Sequence, residues 1–227
     1  LYYNFMSAAK ISVAKKAIDH IRHKITTDTI LGIGTGSTVN FFIDQLSELK
    51  NHFRGAVSSS DRSSELLKKA GIEVFNLNDI FEIDFYIDGA DEVDLNNFLI
   101  KGGGGAHTRE KIVASASKKF ICIVDKSKLV KKLGNFPLPI EVIPESRSLV
   151  ARKIVSMGGT PLYRKNFITS QSNHILDVSN IEIDNPENLE KNLNNIPGVV
   201  DNGIFGKNKP DLVLIGDWNY LIRVLRF

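Results

Sequence analysis

Up to Asp125 the chain alternates short β-branched or apolar runs with stretches of helical period, and few folds accommodate that order. Ala14, Ala17, Ile18, Ile21 and Ile25 recur at helical spacing within 8–25, with lysines on the remaining positions. Thr29-Ile30-Leu31-Gly32-Ile33 then changes the period to that of a strand, and 39–49 returns to a helix. The alternation continues with a strand at 55–57, a helix over 61–70, strands at 84–88 and 98–100, a helix over 108–118 and a strand at 120–125. Strands separated by helices are joined by crossovers, which favours parallel pairing with both faces covered. The expected class is therefore α/β, an open and mainly parallel sheet flanked by helices.

The order changes after Gly134-Asn135-Phe136-Pro137-Leu138-Pro139, where two prolines interrupt the pattern. Beyond it come a strand at 140–143, a helix over 146–157, strands at 161–164 and 174–178, a helix over 186–194 and a strand near 199–200. Pro186 sits at a first-turn position that tolerates proline. This β-α-β-β-α-β order is that of a smaller ferredoxin-like α+β domain, expected over 135–205. The apolar run at 211–216 looks like a buried strand returning to the first sheet. The larger, catalytic α/β domain is thus expected to be discontinuous, over 1–134 and 206–227.

Charge and cysteine usage narrow the function classes. The net charge of +3 arises from 29 basic and 26 acidic residues interleaved along the chain, with no basic tract, so a nucleic-acid partner is not implied. A mild positive excess suits an anionic small substrate. Cys122 is the only cysteine, which excludes an internal disulfide and fits a reducing, cytoplasmic setting. Within Phe120-Ile121-Cys122-Ile123-Val124 it reads as a small buried hydrophobe. The apolar start at 1–6 is too short to span a bilayer, and no membrane association is expected.

Chemistry concentrates in the turns that follow strands. Gly34-Thr35-Gly36-Ser37-Thr38 lies between a strand and a helix, where glycines let an anion reach the backbone and the helix start offers N–H donors. Ser37 stands where the dinucleotide fingerprint requires a third glycine, and the Gly-Lys-Ser/Thr ending of a nucleotide loop is missing. A tight turn with Ser37 as helix cap is the plainer alternative. Asp88-Gly89-Ala90-Asp91-Glu92 ends another strand, and ligands of open α/β sheets bind at the carboxyl ends of strands. Close carboxylates shift one another's pKa and suit proton relay; a metal site or a solvated acidic turn are the rivals, although no calcium-type loop is present.

Lys101-Gly102-Gly103-Gly104-Gly105 joins a strand to a helix, so a close approach to the backbone is favoured over a flexible linker. Lys101 can set a cation over a developing oxyanion, and Glu110 falls in the first turn of the helix, where it can serve as a base. Arg109 reads as structural; His107 could donate to substrate, but a surface residue or cap near the helix start is the plainer reading. Lys126 and Lys128 follow the next strand, where one of them could neutralise a phosphate. His20, His23, His52 and His174 make no metal-ligand pattern.

Taken together, Gly-Thr-Gly-Ser-Thr at 34–38, Ser-Ser-Ser-Asp at 58–61, Asp-Gly-Ala-Asp-Glu at 88–92, Lys-Gly-Gly-Gly at 101–104 and Thr-Arg-Glu-Lys at 108–111 resemble ribose-5-phosphate isomerase of the A type. The resemblance extends through the Phe-Pro-Leu-Pro segment, Asn195-Ile196-Pro197-Gly198-Val199-Val200 and the final Leu-Ile-Gly strand. It implies that Glu110 is the catalytic base and that Asp88, Asp91 and Lys101 are its acid and oxyanion-stabilising partners. It further implies substrate binding by Thr35, Gly36, Ser37 and Thr38, by Gly89, Ala90, Gly102, Gly103 and Gly104, and by Lys128. Across a one-residue gap, Lys15 pairs with a phosphate-contacting lysine. His107 departs from the pattern, standing where an apolar residue is expected.

The resemblance implies an aldose–ketose isomerase that interconverts D-ribose 5-phosphate and D-ribulose 5-phosphate through an enediol, in the non-oxidative pentose phosphate pathway. It also implies that no cofactor and no metal is needed, and that the chain forms a homodimer or homotetramer. Two other functions share part of the pattern. An aminosugar-phosphate deaminase could use a similar phosphate turn, and a non-catalytic sugar-phosphate sensor would need the turn but not the Lys101, Glu110 and aspartate set.

Overall fold

The apolar runs become strands buried along their whole length, as expected of a sheet covered on both faces. A computed structural model describes residues 2–217 and 222–226. The first half contains α1 (Tyr2–Ile21), β1 (Ile30–Ile33), α2 (Ser37–Leu46), β2 (Gly55–Ser58), α3 (Asp61–Lys69), β3 (Ile83–Asp88), β4 (Glu92–Val93), β5 (Leu99–Ile100) and α4 (His107–Ser115). Then follow β6 (Ser117–Asp125), β7 (Leu138–Val142), α5 (Arg147–Ser156), β8 (Thr160–Tyr163), β9 (His174–Ser179) and α6 (Pro186–Asn194). The chain closes with β10 (Val199–Asn202), β11 (Ile204–Phe205), β12 (Leu212–Gly216) and β13 (Ile222–Arg226). Two compact units result, one from 1–90, 109–129 and 210–227, the other from 91–108 and 130–209.

The first unit holds a six-stranded sheet in the order β13-β12-β6-β3-β1-β2. All its pairs are parallel except β12 with β13. Alternation along the strands divides two faces. Leu31, Ile33, Ile87, Ile121, Ile123 and Leu214 pack with Ala14, Ile18 and Ile21 of α1, Phe42 and Ile43 of α2 and Leu67 of α3. On the opposite face, a Cβ at Gly32 would meet Tyr86 of β3 and Val113 of α4. Because β1 lies between β2 and β3, the crossover from β1 to β2 and the one from β2 back past β1 to β3 run in opposite directions. Such a switch point opens a crevice at the carboxyl ends of β1 and β3.

The second unit carries a four-stranded antiparallel sheet in the order β10-β7-β9-β8. With α5 between β7 and β8 and α6 between β9 and β10, this is the expected ferredoxin-like arrangement. Its core joins Leu138, Ile140 and Val142 to Val150, Ile154, Leu176, Val178 and Leu193. A further three-stranded sheet, β11-β5-β4, was not anticipated. The strand expected at 98–100 belongs here, antiparallel to Ile204–Phe205, and not to the parallel sheet.

The division into units also differs from the expected domains of 1–134 with 206–227 and 135–205, because 91–108, 130–134 and 206–209 go with the second unit. Specific bonds account for each segment. β4 and β5 pair with each other and with β11, and Val130 N donates to Val93 O at 2.9 Å. The buried Glu92 carboxylate accepts from Gly134 N at 2.8 Å and Phe136 N at 2.7 Å. Glu190 Oε2 likewise accepts from Gly206 N at 3.0 Å and Lys207 N at 2.8 Å.

Candidate active site

In the first unit, the turn after β1 is assembled around one carboxylate. Asp88, at the end of β3 and fully buried, accepts through Oδ1 from Thr35 N at 3.0 Å and Gly89 N at 2.7 Å. Its Oδ2 accepts from the Tyr86 hydroxyl. Gly34 must be glycine here, since a Cβ would lie 1.9 Å from the Asp88 carboxyl group. Ser63 Oγ of α3 secures the same turn by donating to Gly34 O at 2.7 Å.

The turn delivers the chain into α2 with Gly36, at φ 109°, as the N-cap, and no side chain among the described residues caps the helix. Ser37 is therefore the first helical residue and not the cap. The next helix is built differently: α3 is capped by Ser60, whose side chain accepts from Ser63 N. A helix start left without a side-chain cap, beside exposed Gly36 and Ser37, is a ready anion site. Lys10 of α1 adds a cation, its Nζ donating to Ser37 Oγ at 2.9 Å.

Lys10, beside this turn, is a cation that reading the sequence missed. It continues the buried helical stripe of Val13, Ala14 and Ala17, so periodicity carried the signal. Lys15, paired with a phosphate-contacting lysine across the one-residue gap, lies on the exposed face of α1.

Glu110 follows in the first turn of α4, 3% exposed. The Tyr86 phenol is pushed well above its ordinary pKa, first by burial and then by the negative charges of Asp88 and Glu110. Tyr86 thus stays a hydrogen-bond donor beside two carboxylates. Neighbouring Arg109 points away, to Asp61 at 2.8 Å, as its structural reading expected. Lys128 is half-buried in the turn after β6, where Asp125 accepts from Ser127 N at 2.9 Å. Of the two lysines there, Lys126 is occupied by Asp217 at 3.0 Å.

In the second unit, Asp91 and the glycine run come together. Asp91 Oδ2 accepts from Gly103 N at 2.8 Å, and a Cβ at Gly103 would come within 2.7 Å of that carboxylate. Gly103 and Gly104 are exposed, and nothing lies within 4 Å of where a Cβ at Gly104 would sit. The run is ordered from outside: Arg164 of the ferredoxin-like part donates to Gly102 O and Gly103 O, both at 3.2 Å. Asp177 holds that guanidinium in place, accepting from Nε at 2.8 Å. Nothing in the sequence signalled Arg164, because it is far along the chain.

Lys101 is 2% exposed, with its N–H on Gly203 O at 2.9 Å and its ammonium 5.5 Å from the Phe205 ring centre. His107 is fully buried, which corrects its reading as a surface residue; Nε2 lies 3.4 Å from Asp201 O. Thr108, also at the start of α4, donates to the buried carboxylate of Glu141, which Thr169 and Asn173 reach at 2.8 and 2.9 Å. No group of three or more His, Cys, Asp or Glu that could hold a metal ion occurs among the described residues. None of the described helices is long and apolar enough to cross a membrane.

An α/β sheet whose switch point combines an anion-accepting helix start with buried carboxylates defines the equipment of a sugar-phosphate enzyme. The family model of ribose 5-phosphate isomerase A (phosphoriboisomerase A) matches residues 55–219. The chain belongs to that family. It is 53% identical over 208 residues to the ribose-5-phosphate isomerase A of Haemophilus influenzae (strain 86-028NP), covering 91% of this chain and 95% of the relative.

Solved structures agree. The ribose 5 phosphate isomerase A of Neisseria gonorrhoeae superposes with a TM-score of 0.93 at 45% identity, covering 97% of both chains. A D-ribose-5-phosphate isomerase in complex with phospho-erythronic acid gives a TM-score of 0.91 at 34% identity, covering 98% of this chain and 99% of the other.

Proposed function

We propose that this chain performs its isomerisation by proton transfer, with Glu110 as the base, and that the observation carrying the assignment is a carboxylate buried in the first turn of α4. As a member of its family the protein is an aldose–ketose isomerase interconverting ribose 5-phosphate and ribulose 5-phosphate in the pentose phosphate pathway. The phosphate is taken by the turn from Thr35 to Thr38 at the start of α2, with Lys10 neutralising it and Lys128 contributing a second cation. Gly89, Ala90, Gly102 and the exposed backbone of Gly103 and Gly104 bind the sugar.

An aspartate assists ring opening by taking the O1 proton as the ring oxygen receives one. Glu110 then removes the C2 proton of the aldehyde form, and the electron pair moves into a C1–C2 double bond with the charge on O1. Lys101 stabilises that oxyanion, an electrostatic effect that is strongest away from water. Asp88 and Asp91 move a proton from O2 to O1, and Glu110, whose carboxyl proton exchanges with solvent while the enediolate lasts, delivers a proton to C1. The carbonyl is itself the electron sink, so the scheme uses no cofactor. The ligand of the related structure supports an enediolate: phospho-erythronic acid pairs a phosphate with a planar carboxylate of similar shape.

The test is NMR of chelator-treated protein with ribose 5-phosphate in deuterated water. Ribulose 5-phosphate formation with deuterium at C1 is expected; binding without turnover would favour a sensor, and ammonia from glucosamine 6-phosphate a deaminase. A homodimer or homotetramer in the cytoplasm is the proposed working form, which light scattering of the purified protein checks.

A further inference from the structure

We propose that Tyr86 is a positioning residue of the reaction, its hydroxyl holding the Asp88 carboxylate in a single orientation. The inference rests on the assignment of Asp88 and Glu110 to the chemistry. Strand alternation places Tyr86 and Asp88, two residues apart on β3, on the same face of the sheet. Tyr86 is fully buried, its ring packed over Gly32, where a Cβ would be 2.9 Å from Cδ2, and beside the Phe120 ring at 4.9 Å between centres.

The hydroxyl donates to Asp88 Oδ2 while Thr35 N and Gly89 N donate to Oδ1. Both oxygens are claimed from fixed directions, so the carboxylate cannot rotate without losing a bond. The two backbone donors belong to the turns after β1 and β3, and the Tyr86 side chain donates to the other oxygen. A buried tyrosine hydroxyl needs a partner, but a packing role would be served by any carbonyl. Here the partner is a carboxylate of the reaction, and a second one acts on the same phenol.

The charged or polar groups facing that phenol are Asp88 from β3, Glu110 from α4 and the hydroxyl of Ser59 after β2. Because burial and the two carboxylates keep the phenol protonated, it donates throughout the working pH range. Losing a hydrogen bond to a carboxylate of the reaction should reshape the pH–rate profile, which a packing defect leaves unmoved.

Tyr86→Phe keeps the ring and deletes only the donor. Its kcat for ribose 5-phosphate is expected to fall roughly 10- to 100-fold, because a misplaced reacting group costs rate more than affinity. KM should change little, and the acid limb should shift. A wild-type kcat and profile would overturn the inference, and so would a lower kcat with an unmoved acid limb, which is what a packing defect alone produces. Should Tyr86→Phe fail to fold, 3-fluorotyrosine at position 86, a stronger donor, is expected to move the acid limb measurably; an unmoved limb again overturns the role. Asp88→Asn and Glu110→Gln run alongside separate the two ideas. If both retain turnover, the site assignment fails; if both lose it while Tyr86→Phe matches wild type, only the Tyr86 inference fails.

Discussion

Asp88 and Asp91 stand three positions apart in one motif, yet the two units use them differently. Asp88 is fully buried, tied by two backbone N–H groups and a phenol, and presses against Gly34. Asp91 is half-buried and receives Gly103 N from an exposed loop. The third acid of the motif, Glu92, is buried and anchors the backbone at Gly134 and Phe136. One acidic cluster therefore divides into a fixed carboxylate, a freer one and a structural one. The difference teaches that burial, more than residue type, decides which of them the fold depends on.

Paired variants can break that contrast. Asp88→Asn and Asp91→Asn should each lose about 10²–10⁴-fold in kcat/KM if both transfer protons. Only Asp88→Asn should also lose stability, about 1–3 kcal/mol in urea melts, since an amide cannot accept from all three donors. Equal stability loss in both would erase the distinction.

The glycines repeat the contrast. Gly34→Ala forces a methyl into the Asp88 carboxyl group and should cost about 3 kcal/mol or more, whereas Gly104→Ala enters open space and should stay within about 0.5 kcal/mol in thermal melts. A Gly104→Ala protein that is as stable as wild type but binds substrate more weakly would sharpen the role of that backbone.

On α1, Lys10→Ala should raise KM by about tenfold while Lys15→Ala leaves it unchanged, a difference of about 1.4 kcal/mol in binding that substrate titrations would detect. The reverse result would restore Lys15 to the phosphate site.

Tyr86 supplies the smallest contrast, at alkaline pH. Its folded pKa lies well above the unfolded value of 10.0. Above about pH 10 the unfolded chain loses a proton that the native state keeps, so stability falls as pH rises, by about 1.4 kcal/mol per pH unit from this group. Other groups titrate there too, but Tyr86→Phe should lack this component of the slope, which urea melts across that range would show.

Much of this was legible in the sequence wherever a feature is local. The wholly apolar runs of β1, β2 and β12 announced a buried parallel sheet, and the motifs at strand ends placed Thr35–Thr38, Asp88, Lys101 and Glu110 at turns or helix starts. The β-α-β-β-α-β order announced the ferredoxin-like part. What escaped depends on partners distant along the chain. β4 and β5 are two residues each and find β11 only after 204, so neither period nor length marks them as a separate sheet. Arg164 reaches Gly102 and Gly103 from β9's neighbourhood, and Glu190 ties 206–207 to α6. Proline-rich 134–139 looked like a boundary, but Glu92 binds it into the second unit. Tyr86 falls within the strand expected at 84–88, and nothing local in the sequence marks its hydroxyl as a partner of Asp88.

The central claim is that Glu110 carries the proton between C2 and C1. Its most direct test is Glu110→Gln, followed by NMR with ribose 5-phosphate in deuterated water, measuring turnover, C1 deuteration and substrate affinity together. The account predicts that turnover and deuteration fall together by about 10²–10⁴-fold while ribose 5-phosphate still binds. Turnover and deuterium incorporation near the wild-type rate would contradict it.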